Sequence, residues 1–296
     1  MRQFSILGCF VLAVVELSTG CAEAPTEHRA CQTLTSELDD PNAMPQDVLD
    51  LLSKHHWSHM HLDFHVARMW DVLDSDTKDW AANQGIERWK LQEGAPTTGL
   101  EFLAMHRLML QELRAQFPEH ADLFAGWNAP PTDPMDPDGM LPAGTRAFDP
   151  AMVRAIDRLQ NDVASFASDD DFALFLQTKR RPTEAKPRAV ASDPSAGIHN
   201  YLHVRWTSDS PINVGDPAVN LQNQVFWRIH GWVDARWTAY RAAKGLDDAT
   251  DPVYLAAMHD ADTWMRDAMA RAHAQGDKGD DACETEPAQV TTIFVE

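Results

Sequence analysis

Histidine is the residue type with the most chemistry to offer in this 296-residue chain. There are 13, and four short segments carry most of them. His199 and His203 are four apart, so on a helix they share one face and can reach one metal ion. His106 sits mid-stripe between Leu103 and Leu110, and His230 lies on the apolar stripe Phe226, His230, Val233, Trp237. The segment Lys54-His-His-Trp-Ser-His-Met-His-Leu-Asp-Phe-His65 offers two more i, i+4 pairs, His55/His59 and His61/His65. Each has a bland explanation by itself, since an isolated HxxxH arises by chance and a single core histidine is usually just hydrogen-bonded. The coincidence carries the weight: separate apolar helical faces each hold imidazole where an aliphatic side chain would pack better. Neutral imidazoles converging inside a bundle suit copper, zinc or iron. A zinc hydrolase is the weaker option, because no HExxH occurs and no carboxylate joins the histidine spacing.

These residues need helices to hold them, and the hydrophobic spacing supplies helices. Patterning starts near Gln46, with Val48, Leu51 and Leu52 as a first short stripe. A second helix is expected from Trp57 to Leu73. If it restarts at Trp57, then Asp63, Asp71 and Asp74 mark its wet face, and His61, Leu62, His65, Met69 and Val72 the opposite one. If one helix instead runs unbroken from Gln46, the stripe Val48, Leu52, His55, His59, Leu62 favours the other pair. Residues 75–99 read as a connection. Leu103, His106, Leu110, Leu113 and Phe117 recur at helical spacing up to Pro118. Further helices are expected from Asp149-Pro150 to Phe166, from Asp169 to before Pro182, from Ile198 to Trp206, from Asn223 to Ala243 and from Asp251 to Ala272. Residues 128–150 and 182–195 read as loops. Strand signals are sparse and no internal repeat is evident. The expected fold is mainly α, a helical bundle with long loops.

The net charge is −20, which excludes nucleic acid as a partner, because polyanions are bound through Lys and Arg. Residues 1–20 read as a signal peptide: Arg2, then the apolar run Phe4 to Val15, then Ser18-Thr-Gly20 before Cys21. The Leu-Ser-Thr-Gly-Cys pattern resembles a bacterial lipoprotein signal, which would make Cys21 a lipid anchor. An exported protein, periplasmic, outer-membrane or secreted, is expected. Residues 21–45 read as a tether, 46–275 as the helical domain and 276–296 as a tail. With Cys9 in the signal and Cys21 lipidated, a disulfide between Cys31 and Cys283 is the economical pairing in an oxidising compartment.

Three of the histidine segments resemble motifs of the tyrosinase and hemocyanin (type 3 copper) superfamily. Phe226-Trp-Arg-Ile-His230-Gly-Trp-Val-Asp234 is similar to its second copper signature, with Asn223-Gln224 in place of the usual Asp-Pro. His199-Asn-Tyr-Leu-His203 resembles the His-Asn-x-x-His upstream of it. Phe102-Leu-Ala-Met-His106-Arg resembles the first copper signature, with Met105 where an aromatic is usual. The matches span roughly residues 55–240. The resemblance implies a central four-helix site for two copper ions, with O2 as co-substrate and a small phenolic substrate: a phenol or catechol oxidase forming quinones, o-aminophenols being equally permitted. A non-catalytic copper or dioxygen-binding protein of the same fold is the alternative. By resemblance His199, His203 and His230 hold one copper, and His106 belongs to the other. The tyrosinase pattern has a further histidine eight or nine residues before His106, where this chain has Thr97 and Thr98. Hemocyanins take two ligands from one helix after a His-His-Trp run, and His55-His56-Trp57 resembles that run. His61 and His65 are preferred over His55 and His59, since they leave fewer residues before His106. His28, His120, His259 and His273 read as surface residues. In tyrosinases an asparagine at the position of Asn200 helps orient a catalytic water, and Asn200 is the candidate catalytic residue here. Val204, small and apolar, would leave a rim open to a phenol ring. Phe226 and Trp227 could form a ring-docking wall, with core packing the plainer reading. Asp234 could orient a ligand or form an ion pair with Arg107.

Overall fold

A computed structural model describes residues 42–90, 92–133, 147–177, 180–183, 186–206 and 212–276. The signal segment, Cys21, His28, the Cys31–Cys283 pairing and most of the loop expected at 128–150 lie outside the described residues. No helix among the described residues is long and apolar enough to cross a membrane.

The described chain is mainly helical. In order, the helices are α1 (Gln46–Lys54), α2 (Trp57–Arg68), α3 (Ser75–Asn83), α4 (Thr98–Gln116), α5 (Ala121–Phe124), α6 (Pro150–Asn161), α7 (Asp169–Gln177), α8 (Ile198–Arg205), α9 (Gln224–Ala243) and α10 (Pro252–Gly276). Residues 182–195, expected as loop, instead include an antiparallel hairpin, β1 (Arg180–Thr183) with β2 (Lys186–Ser192). The run Lys-Pro-Arg-Ala-Val-Ala-Ser has too little alternation to announce a strand, and the pairing is supplied by its neighbour. Other boundaries differ too, α2 ending at Arg68 rather than Leu73 and α7 at Gln177 rather than just before Pro182. Residues 75–99 contain α3, because the Asp74 side chain caps it by accepting from Thr77 N at 2.8 Å. The helix opened by Asp149-Pro150 stops at Asn161 rather than reaching Phe166, and residues 163–165 form one 3-10 turn.

The break between α1 and α2 decides which histidines face inward. His56 takes a left-handed conformation, φ 53, so the helix restarts at Trp57. On the restarted helix, Trp57, Met60, His61, Phe64 and His65 are buried. The restart does not leave Asp63 on a wet face. It is mostly covered, with Arg271 of α10 at 3.6 Å, and Val72, expected inside, is 65% exposed in a 3-10 turn.

Helix α4 runs through the middle, packing on α7, α9 and α10, while α8 packs on α7 and α9. One apolar cluster joins α4, α6, α7, α8 and α9 through Phe102, Leu159, Phe172, Leu202 and Trp232. A second joins α1, α2, α4, α9 and α10 through Val48, Phe64, Leu110, Trp227 and Ala268. The start of α4 is fixed from outside: Asp170 accepts from Thr97 N and Gly99 N, both at 2.8 Å. A Cβ on Gly99 would lie 2.7 Å from that of Ala173, so α4 and α7 can touch only because the residue is glycine. The Gly126/Gly231 contact is tighter still, a Cβ on Gly231 falling 2.5 Å from Gly126 N. That near backbone-to-backbone contact locks α9 against the segment after α5, one residue beyond His230.

Candidate metal centre

Six histidines from four helices meet between the two apolar clusters. His61 and His65 come from α2, His106 from α4, His199 and His203 from α8, and His230 from α9. All six are between 0% and 3% exposed. They form two groups, His61/His65/His106 and His199/His203/His230. Within each group, one ligand atom per residue lies within 4.8 Å of the others. The two groups face each other, with the His106 and His230 rings stacked at 4.2 Å and 13° between planes. The structure therefore brings together the six histidines singled out from the sequence. His55 and His59 are in neither group. His59 instead lies beside His56, ring centres 5.8 Å apart.

The hydrogen bonds set the tautomers. A carbonyl oxygen only accepts, so a ring nitrogen facing one carries the proton. His61 Nδ1 donates to Pro217 O at 3.2 Å, His106 Nδ1 to Phe102 O at 2.9 Å and His203 Nδ1 to Val214 O at 2.7 Å. His230 Nδ1 donates to Phe226 O at 2.8 Å and His199 Nδ1 to Asn200 Oδ1 at 2.9 Å. In these five neutral rings the Nε2 lone pair is thus turned to the centre, as second-sphere carbonyls arrange for a metal ligand. His106 Nε2 is buried with no hydrogen-bond partner. His199 Nε2 and His230 Nε2 lie 3.1 Å apart, and with both protons committed to Nδ1 the two lone pairs point at each other. That contact is repulsive unless a cation lies between them. His65 Nε2 lies 3.2 Å from His61 Nε2, where a neutral His65 can donate to the His61 lone pair.

Burial keeps the rings neutral. Desolvation pushes His61 down to about 3 and His203 to about 4, and holds His65, His106, His199 and His230 well below the ordinary histidine range. Neighbouring imidazoles, and for His65 and His106 the Arg68 guanidinium, push the same way. Protonation cannot relieve the facing lone pairs near neutral pH, whereas a metal ion can. The donor set is all nitrogen, with no carboxylate in either group, which fits copper, zinc or iron(II) and not calcium or magnesium. Two histidine triads that can hold metal ions are what the described residues contain at their centre.

Two phenylalanines line both triads. Phe226 stacks on His230 at 4.0 Å and meets His61 at 5.1 Å and His203 at 5.7 Å. Phe102 meets His106 at 4.5 Å and His199 at 4.8 Å. Phe226 is fully buried, and so is Trp227, whose Nε1 donates to Leu221 O at 2.8 Å. Both are core residues rather than an open docking wall. Phe102 was not singled out from the sequence, yet a signal existed: Phe-x-x-x-His occurs in α4 at 102–106 and again in α9 at 226–230. In each, the phenylalanine carbonyl takes the histidine Nδ1 proton one turn on.

Thr97 and Thr98 do not reach a triad. Thr98 O accepts from the buried Arg68 Nη2 at 2.7 Å, which ties the end of α2 to the start of α4. Asp234 touches no triad histidine in the hydrogen-bond pattern. It pairs with Arg107 Nε at 2.6 Å and Arg114 Nη1 at 2.9 Å, so the ion-pair reading describes it. On the outer side of α8, Val204 is 40% exposed and Asn200 is half-buried. Asp47, Glu119 and His120 form a third, exposed group at the surface.

No known protein family and no curated protein matches this chain.

Proposed function

We propose that the two triads hold one copper ion each and that the protein is a type 3 dicopper oxidase, taking phenols, o-diphenols or o-aminophenols to quinones with O2. The observation carrying this reading is the inward Nε2 geometry, above all the 3.1 Å His199–His230 approach with both protons held elsewhere. Copper is preferred over zinc because the ligands are two opposed sets of three neutral imidazoles with no carboxylate to serve as a base. The histidine motifs resembling the type 3 copper superfamily point the same way.

When bound, the copper pair supplies two-electron redox chemistry with O2. Two o-diphenols each lose two electrons and two protons, and one O2 becomes two waters. The chain's own residues do the rest. His61, His65 and His106 hold one ion, and His199, His203 and His230 the other. Backbone carbonyls and Asn200 Oδ1 fix the ring orientations. Phe102 and Phe226 exclude water between the triads. Asn200 is committed through its oxygen to His199, which leaves its amide NH2 as the donor that can hold a water near a substrate hydroxyl. Val204 gives an apolar rim on the outer face of α8, where a substrate ring can settle.

The test is reconstitution of the metal-free protein with copper under O2. Two coppers per chain and turnover of catechol to o-quinone are expected. Reversible O2 uptake by a two-copper protein without turnover would favour the non-catalytic dioxygen-binding reading. Selective retention of zinc with no copper uptake would overturn both.

A further inference from the structure

The triads sit on four different helices, but they share one piece of backbone. The turn after the described end of α8 places Val214 O against His203 Nδ1 at 2.7 Å and Pro217 O against His61 Nδ1 at 3.2 Å. The carbonyl that orients a ligand of one triad and the carbonyl that orients a ligand of the other therefore lie three positions apart in the chain. The turn is stiff. Asn213 Oδ1 accepts from Gly215 N at 2.8 Å, and Asp216 Oδ1 from Ala218 N at 3.0 Å. Asp216 O accepts from Asn220 N at 2.9 Å. Val214, Asp216 and Asn220 are buried. Asn220 closes the turn from within, its Nδ2 donating to Val214 O at 3.3 Å, the same oxygen that His203 uses. Asn223 pins the base of the loop by donating from Nδ2 to Ile212 O at 3.0 Å.

We propose that this turn is a shared strut that couples the triads, so that a metal ion seated in one favours binding in the other, with Asn220 as its positioning residue. The inference rests on the metal reading above and adds a dependence between the two sites. An ion in the second triad fixes the His203 ring. The fixed Nδ1–H holds Val214 O, and the stiff turn carries that restraint to Pro217 O, which is set for His61. The ordering cost is then met once for two ions, which is cooperativity without any shift in shape. Repulsion between the ions opposes this, but it is common to the native chain and to any variant of the turn. A comparison of the two isolates the strut.

The experiment is a titration of the metal-free full chain and of Asn220→Ala with Cu(I) against a competing chelator, giving two stepwise constants for each. In Asn220→Ala the ratio of the second constant to the first is expected to fall by about fivefold or more, with two ions still bound at saturation. An unchanged ratio overturns the coupling, including the case in which both constants fall together, which is what a merely structural residue would do. No uptake of Cu(I) by the native chain overturns the metal reading and the coupling with it. A second measurement leaves the turn intact. In His106→Ala, whose altered residue makes no bond to the turn, Zn(II) fills only the second triad. Solvent exchange of the His61 Nδ1–H, followed by NMR, is expected to slow several-fold on loading, and an unchanged rate overturns the proposal.

Discussion

At the scale of single residues, the centre is defined by which nitrogen carries the proton. Five rings donate Nδ1–H to an oxygen, and four of those oxygens belong to the backbone. The exception is His199, whose acceptor is the Asn200 side chain and can therefore be removed by mutation. Asn200→Ala is expected to weaken metal binding at the second triad by about ten- to a hundredfold, the usual cost of losing such an orienting contact, and to lower the first triad's affinity by no more than the coupling between the sites, about fivefold. Chelator competition on the two sites measures it. His106 and His230 were legible in the sequence because imidazole on an apolar stripe is anomalous, and His199 and His203 because of their i, i+4 spacing, whereas His61 and His65 remained one of two possible pairs. The orienting carbonyls were not, since a backbone oxygen carries no residue signature. Pro217 and Val214 matter through their position in a turn, and turn geometry is not written in hydrophobic periodicity.

At the scale of elements, the choice between two histidine pairs on one segment turned on a single backbone conformation. The positive φ of His56 rotates everything after it and places His61 and His65 on the inner face. Histidine gives no more than a mild preference for that conformation, so the sequence left two pairs open. The α8 and α9 spans were readable for the opposite reason: apolar spacing and a local cap coincide, Asn223 accepting from Val225 N at 2.9 Å to start α9. Where α9 sits is set by something smaller. Gly231 meets Gly126 almost backbone to backbone, and the next atom added there has no room. Gly231→Ala is expected to destabilise the protein by about 2 kcal/mol or more, the cost of overpacking a filled interior. Denaturant unfolding would register it, and copper affinity should fall alongside, because His230 is the adjacent residue.

At the scale of the whole molecule, buried charge and surface charge act differently. The triad histidines are neutral when folded and take up protons readily when unfolded. As pH falls below about 6.5, the unfolded chain binds protons that the native one refuses, so stability falls, and it keeps falling towards the folded values of about 4 for His203 and 3 for His61. Asp63, raised to about 7 by burial, runs the other way, as do Glu93 and Glu101, whose burial also raises them. Six histidines outweigh three carboxyls. The melting temperature of the metal-free protein is therefore expected to drop steadily between about pH 6.5 and 4, and copper at saturating concentration should blunt the drop near the upper end. Outside, the net charge of −20 makes an anionic aromatic a poor visitor. A carboxylated catechol is expected to show a higher KM than catechol, and the gap should narrow as salt is added, which steady-state kinetics at two ionic strengths would show.

Helix α8 has one further consequence. It contributes two histidines to a centre that solvent scarcely touches, yet it is only eight residues long, under the length at which a helix holds itself together in water. Among the described residues the six ligands are scarcely exposed and α8 is the shortest of the four helices that carry them, so an opening at α8 is the route expected for an ion. Metal loading is then expected to be limited by the protein's own opening rather than by encounter with the ion. Stopped-flow loading of the folded, metal-free chain should follow a single exponential whose rate levels off as copper is raised. A rate that climbs in proportion to copper throughout would mean that the doorway stands open.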